Sequence, residues 1–210
     1  MARLALDLRL IVITDAGLAA PRSVVDVVDA ALAAGAPAIQ LRMKDADARE
    51  LLEAARTLRE RTRRAGALLF VNDRLDVALA AGADGVHLGP DDLPVAAARA
   101  CVPPHFLIGY STDDAARAVA AERDGADYIG CGAVFGTSSK NVGGEAIGTE
   151  RLDAVAHAVR TPVVAIGGID VRNVAEIART RAAGVAVIGA VMKAADPSAA
   201  VRALLDGMSR

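Results

Sequence analysis

With 210 residues, the chain is long for one small domain and ordinary for a single α/β barrel, whose usual size is roughly 200 residues and upward. Hydrophobic residues make up 53% of it and aromatic ones 2%, so the core must be built from Ala, Val, Leu and Ile, and stacking on nucleic-acid bases is largely unavailable. The 24 Lys and Arg against 26 Asp and Glu leave a formal charge of −2, so no overall field draws the chain to nucleic acid or an anionic membrane, and any anion must be bound locally.

The first predicted strand lies in "LRLIVITD" (8–15) and ends on Thr14 and Asp15. Asp7 and Arg9 interrupt its apolar run before a signal-peptide core could form, and no apolar run approaches membrane-spanning length; a soluble cytoplasmic protein is expected. "GAPAIQLR" (35–42) is the second strand, with Gln40, Arg42 and Lys44 at and beyond its end, and "LLEAARTLRERTRRAG" (51–66) has helical period. "ALLFVND" (67–73) is a buried strand that turns abruptly polar at Asn72 and Asp73. A helix cap is one reading of that pair, since both side chains accept hydrogen bonds from free helical amides. "GADGVHLG" (82–89) follows, with His87 near its end and Asp91 and Asp92 beyond, then "FLIGYST" (106–112) with Ser111.

The sixth strand, "GADYIGCG" (125–132), leads into the Gly- and Ser-rich "FGTSSKNVGGEAIG" (135–148), which reads as a loop ending at a helix near Gly148. "PVVAIGG" (162–168) and "RAAGVAVIG" (181–189) complete the set, separated by "VRNVAEIARTRAAG" (171–184), which has helical period. Four of the eight strands resemble one another, each following an Ala-rich stretch with small residues that suit a helix stop. Eight β-α alternations with doubly buried strands predict one domain over 1–210, a (β/α)8 TIM barrel, with a doubly wound open sheet as the alternative. Cys101 and Cys131 form no metal-ligand spacing and suit a reduced setting, Cys131 as packing within its strand.

In such a barrel the strand ends share one face. Asp73 and Asp92, on adjacent rim loops, are hard oxygen ligands of the kind Mg²⁺ prefers. Arg42 and Lys44 are alternate residues that project to one side if the chain stays extended, where Arg42 could grip phosphate oxygens bidentately while Lys44 and Lys140 act as point charges; the alternative is that these cations pair with Asp45, Asp47 or other surface carboxylates. "AIGGID" and "VIGAVM" supply Gly167, Gly168 and Gly189, whose backbone amides suit a second phosphate, or whose glycines serve turn geometry alone. Two phosphate regions on one face fit two phosphorylated substrates. His87, among apolar neighbours, reads as a hydrogen-bonded core residue more readily than as a base. The chain has no GxSxG elbow, no GxxxxGK[ST] loop and no GxGxxG fingerprint.

"LRLIVITD", "IQLRMKD", "FVNDRLDVALAAGADGVHLGPDDLP", "GYST", "DYIGCGAVFGTSSK", "VVAIGGI" and "VAVIGAV", in this order, resemble the thiamine phosphate synthase family, also called thiamine-phosphate pyrophosphorylase. The resemblance spans nearly the whole chain. It implies a transferase barrel in thiamine biosynthesis that joins a hydroxymethylpyrimidine diphosphate to a thiazole phosphate, releasing pyrophosphate with Mg²⁺. By that resemblance Gln40, Leu41, Arg42, Met43, Lys44 and Asn72 contact the pyrimidine diphosphate. Asp73 and Asp92 hold the metal, and Ser111 and Lys140 complete the diphosphate site. Thr137, Ser138, Ser139, Gly168, Ile188 and Gly189 bind the thiazole phosphate, and Arg42, Lys44 and Lys140 are the catalytic cations. Small-molecule partners are therefore expected, with neither nucleic acid nor membrane, and a homo-oligomer is compatible with the sequence. Three positions depart from the family pattern: Pro90 where Gln is frequent, Asp113 where His often follows the GxS stretch, and Gly189 where Ser is frequent. A thiazole tautomerase on the same barrel, which uses that His, and a non-catalytic phosphate-ligand binder are the alternatives.

Overall fold

Short apolar segments ending at glycine set the rhythm of the chain. In the computed structural model, which describes residues 6–136 and 146–209, eight strands alternate with helices: β1 (Leu10–Ile13), β2 (Ala38–Leu41), β3 (Leu68–Asn72), β4 (Gly85–Leu88), β5 (Leu107–Ser111), β6 (Tyr128–Cys131), β7 (Val163–Ile166) and β8 (Gly184–Val187). The helices among the described residues are α1 (Ala16–Ala19), α2 (Val24–Ala33), α3 (Ala48–Ala65), α4 (Leu75–Ala81), α5 (Val95–Cys101), α6 (Ala115–Asp124), α7 (Gly148–Ala158), α8 (Val174–Ile177), α9 (Gly189–Met192) and α10 (Pro197–Met208). Every strand pairs in parallel with its neighbours in sequence and β8 pairs with β1, so the sheet closes into a barrel. Closure excludes the open doubly wound sheet, which would leave two edges.

Side chains fill the barrel. The ring of Phe70 from β3 meets that of Tyr128 from β6 edge to face, with centroids 5.2 Å apart. Room for them comes from glycine on the intervening strands: a Cβ on Gly109 would lie 2.2 Å from the Tyr128 ring, and one on Gly85 2.8 Å from Phe70. Large residues thus face small ones across a close-packed interior. The outward positions of the strands, such as Leu69, Val86, Leu88, Ile108, Ile129 and Cys131, are buried in the second layer, beneath the helices.

Helix ends follow local chemistry. Asp15, Ser23, Asp47, Asp114 and Asp196 cap α1, α2, α3, α6 and α10 with side-chain oxygens. Gly82 and Gly125 close α4 and α6 with positive φ, as the small residues before the related strands predict, and Gly66 closes α3 in the same way.

One expected helix is much shorter than its periodicity indicates. The helical pattern over 171–184 yields only α8, a single turn. Thr180 donates its hydroxyl hydrogen to the Ile177 carbonyl at 2.8 Å and accepts from the Ala182 amide at 3.1 Å, replacing helical bonds by local side-chain ones. No helix among the described residues is long and apolar enough to cross a membrane.

Candidate active site

At the C-terminal ends of the strands opens a cavity of about 830 Å³. Arg42, Lys44, Asn72, Asp73, Ser111, Gly168, Ile188 and Gly189, all predicted from sequence, line it. Gln40 lies beneath, in the barrel interior, where it and Arg42, His87 and Tyr128 surround a small void. Leu41 is buried in the apolar core, and neither it nor Met43 lines the cavity, so their side chains are outside it, as the alternation of a strand requires. Asp92 stands just behind the wall: its Oδ2 accepts the Gly89 amide hydrogen at 2.6 Å, while Gly89 and Pro90 face the cavity. Thr137, Ser138, Ser139 and Lys140 lie outside the described residues.

Arg42 is held from two directions. The Thr14 hydroxyl accepts the Arg42 amide hydrogen at 3.0 Å and faces the Arg42 carbonyl at 3.4 Å, fixing the backbone just beyond β2. Its guanidinium is 3.7 Å from the Asp15 carboxylate, with the Arg42 side chain only 10% exposed. The partner is therefore Asp15 rather than Asp45 or Asp47; Asp47 is committed to capping α3. Lys44 makes no ion pair among the described residues and lines the cavity.

The abrupt polar turn after β3 has a specific shape. Asp73 has φ of 64°, in the left-handed region, and is bracketed by a 2.7 Å hydrogen bond from the Arg74 amide to the Asn72 carbonyl. Its own amide donates to the His87 carbonyl at 2.8 Å, tying the turn to β4. Asp tolerates this backbone better than most residues, yet it remains a costly conformation of the kind that clusters at functional sites. The N-cap of α4 falls to Arg74, which gives no side-chain cap and instead pairs with Asp76.

Below Ser111 runs a buried polar chain. His87 Nε2 is 2.8 Å from Ser111 Oγ, and Nδ1 is 2.9 Å from the Tyr128 hydroxyl. His87 is thus the hydrogen-bonded buried residue expected from sequence, and it also reaches the cavity floor. Burial pushes the Tyr128 phenol far above its usual range.

Opposite stand the glycine loops. Gly167 and Gly168 have φ of 97° and 64°, and a Cβ on Gly168 would lie 2.5 Å from the Gly136 carbonyl. Turn geometry and close packing therefore demand glycine here whether or not a ligand binds. Asn173 pins the loop, donating to the Gly168 carbonyl at 2.8 Å and accepting from the Asp170 amide at 2.9 Å. The Arg172 guanidinium beside Asp170 holds its carboxyl below the usual carboxylate range.

Arg117 and Lys193 also line the cavity and are missing from the sequence-based set. Arg117 lies in the first turn of α6 and Lys193 caps the end of α9, so continuing the rim past each strand end by one helical turn would have found them. Asp113 lines the cavity too, but its carboxylate lies 3.3 Å from Arg151, whose Nε donates to the Asp113 carbonyl at 2.9 Å. Chemically, the cavity offers cations and carboxylates on one side and backbone amides on the other.

The description "Thiamine monophosphate synthase" belongs to the family model that matches residues 10–191. A thiamine-phosphate synthase of Chloroflexus aurantiacus is 48% identical over 198 residues, covering 94% of this chain and 91% of that protein. One of Moorella thermoacetica is 48% identical over 204 residues, covering 97% and 96%. The solved thiamine phosphate pyrophosphorylase of Pyrococcus furiosus superposes with a TM-score of 0.88 at 45% identity, covering 97% of this chain and 96% of that one. The chain belongs to the thiamine monophosphate synthase family.

Proposed function

We propose that the chain is a Mg²⁺-dependent thiamine-phosphate synthase, joining a hydroxymethylpyrimidine diphosphate to a thiazole phosphate and releasing pyrophosphate. The observation that carries this reading is the single cavity of about 830 Å³ that unites the cations and Asp73 with the Gly167–Gly168 and Ile188–Gly189 loops. That volume accommodates two small ligands side by side, within the range of known ligand sites.

The donor set suits Mg²⁺. Among the described residues no group of three or more His, Cys, Asp and Glu could hold a metal, which disfavours an all-protein cage. Two carboxylates on neighbouring rim loops, Asp73 and Asp92, match an ion that keeps waters and takes its remaining oxygens from substrate phosphates. When bound, Mg²⁺ supplies positive charge to a departing diphosphate.

The chain's own residues do the rest. Breaking the bond between the diphosphate and the pyrimidine's methylene carbon leaves a cation that the aminopyrimidine ring delocalises, and the electron pair leaves with pyrophosphate. Arg42 and Lys44 counter the charge that develops on the leaving oxygens, and Ser111 lies on the same side to donate a hydrogen bond. The thiazole phosphate, held by backbone amides of the glycine loops, places the ring nitrogen to attack the methylene carbon before water does. The attacking nitrogen carries no proton, so no general base is needed. An isomerase reading would need a proton-transferring group at position 113, whereas Asp113 is engaged by Arg151.

Asp73→Ala and Asp92→Ala test the metal assignment. Each variant is expected to stay folded and lose Mg²⁺-dependent turnover by at least about 100-fold, the size of a lost charge contact at a transition state. Full activity in either folded variant rules out the metal site.

A further inference from the structure

The buried chain from Tyr128 to Ser111 has a direction. We propose that Tyr128 is a positioning residue: its hydroxyl donates to His87 Nδ1, fixes the imidazole as the Nε2–H tautomer, and so turns the Ser111 O–H outward as a donor into the cavity. The inference rests on the proposed reaction, which puts an anionic leaving group at Ser111.

The geometry of the ring comes first. Tyr128 is 1% exposed, locked between Phe70 at 5.2 Å and His87 at 5.4 Å between ring centroids. Because a Cβ on Gly109 would lie 2.2 Å from it, the ring fills the space that glycine leaves. Its hydroxyl therefore has one place to be, 2.9 Å from His87 Nδ1.

The order of donors follows. A phenol this deeply buried keeps its proton, since the charged form would be stranded in an apolar core. A buried hydroxyl hydrogen needs an acceptor, and among the described residues the one at hydrogen-bond distance from the phenol is His87 Nδ1. A neutral imidazole accepting at Nδ1 carries its hydrogen on Nε2, and that hydrogen points at Ser111 Oγ, 2.8 Å away. Ser111 then accepts from below, and its own hydrogen is free to face the cavity. The reverse chain would make Ser111 donate inward and present only lone pairs to an anion, a repulsive arrangement for the proposed leaving group. A second-layer hydrogen bond that fixes a histidine tautomer is a recognised way to set the polarity of the group beyond it.

Two measurements on the full chain test this. Nitrogen NMR of histidine-labelled protein above neutral pH should show His87 with a bare Nδ1 and a protonated Nε2; the chain has 3 histidines, and His105→Gln and His157→Gln assign the signals. Tyr128→Phe, which keeps the ring, should give mixed tautomers and lower kcat about tenfold, the scale of one hydrogen bond, with KM for thiazole phosphate unchanged. In Ser111→Ala the same Tyr128→Phe change should cost nothing further. A wild-type Nδ1–H tautomer, or losses that multiply in the double variant, overturns the inference while leaving the reaction intact. Absence of thiamine phosphate formation by the wild type overturns the reaction itself, and the positioning role with it.

Discussion

Cys131 and Cys101 show how burial separates two identical side chains. Cys131 is 0% exposed within β6, and burial, reinforced by the nearby Asp113 charge, pushes its thiol up to about 12; Cys101 is exposed at the end of α5. Alkylation requires thiolate and access, so iodoacetamide should modify Cys101 in the folded protein and both cysteines only after unfolding. Mass spectrometry of the intact chain reads this directly, and rapid labelling of Cys131 in the native state would contradict the packing described. Gly168 makes a second residue-scale case. Alanine there must adopt a left-handed φ and meet the Gly136 carbonyl, so Gly168→Ala should cost at least about 1 kcal/mol, read by urea unfolding, and should raise KM for thiazole phosphate by displacing the loop. Unchanged stability and KM would show that the loop tolerates a side chain.

At the scale of elements, the repeated Gly-Ala-Asp of the sequence acquires a structural meaning. Asp84 before β4 accepts from the Leu69 amide and from Arg59, each at 2.8 Å. Asp127 before β6 does the same with the Ile108 amide at 2.8 Å and with Arg99. Both lie at the N-terminal ends of strands, the face that barrels devote to stability. Asp127→Ala strands the Arg99 charge and leaves an amide unpaired, so it should destabilise by about 3–5 kcal/mol and lower Tm by at least about 6 °C. Turnover at ambient temperature should persist; scanning calorimetry alongside the assay checks both.

The eight strands were legible because each is an apolar run bounded by glycine or a polar cluster, and the rim residues Arg42, Asn72 and Asp73 were legible because strand ends locate them. The expected continuation of α8 beyond Ile177 was misread, because Thr180 diverts backbone bonds to its side chain, which periodicity does not register. The polar chain from Tyr128 through His87 to Ser111 was not legible, since it joins β6, β4 and β5 only in the folded barrel. Arg117 and Lys193 were missed because helical turns, rather than strand ends, carry them to the cavity.

For the whole molecule, closure of the sheet is what makes a single site possible. It brings Asp73 near the start of the ring and Gly189 at its end to the walls of one cavity, although 116 positions separate them in sequence (189 minus 73). The same closure buries the interior beneath the cavity, so the floor under Ser111 is the buried pair His87 and Tyr128. An enzyme that must pass a carbocation from one ligand to another needs both ligands on such a floor, with water held away from the reacting carbon. The most direct test is to incubate the purified chain with hydroxymethylpyrimidine diphosphate and thiazole phosphate, together and singly, with and without Mg²⁺, and to quantify thiamine phosphate and pyrophosphate. Equal amounts of the two products, formed only when both substrates and Mg²⁺ are present, are predicted; no thiamine phosphate, or its formation at the same rate without divalent metal, would contradict the account.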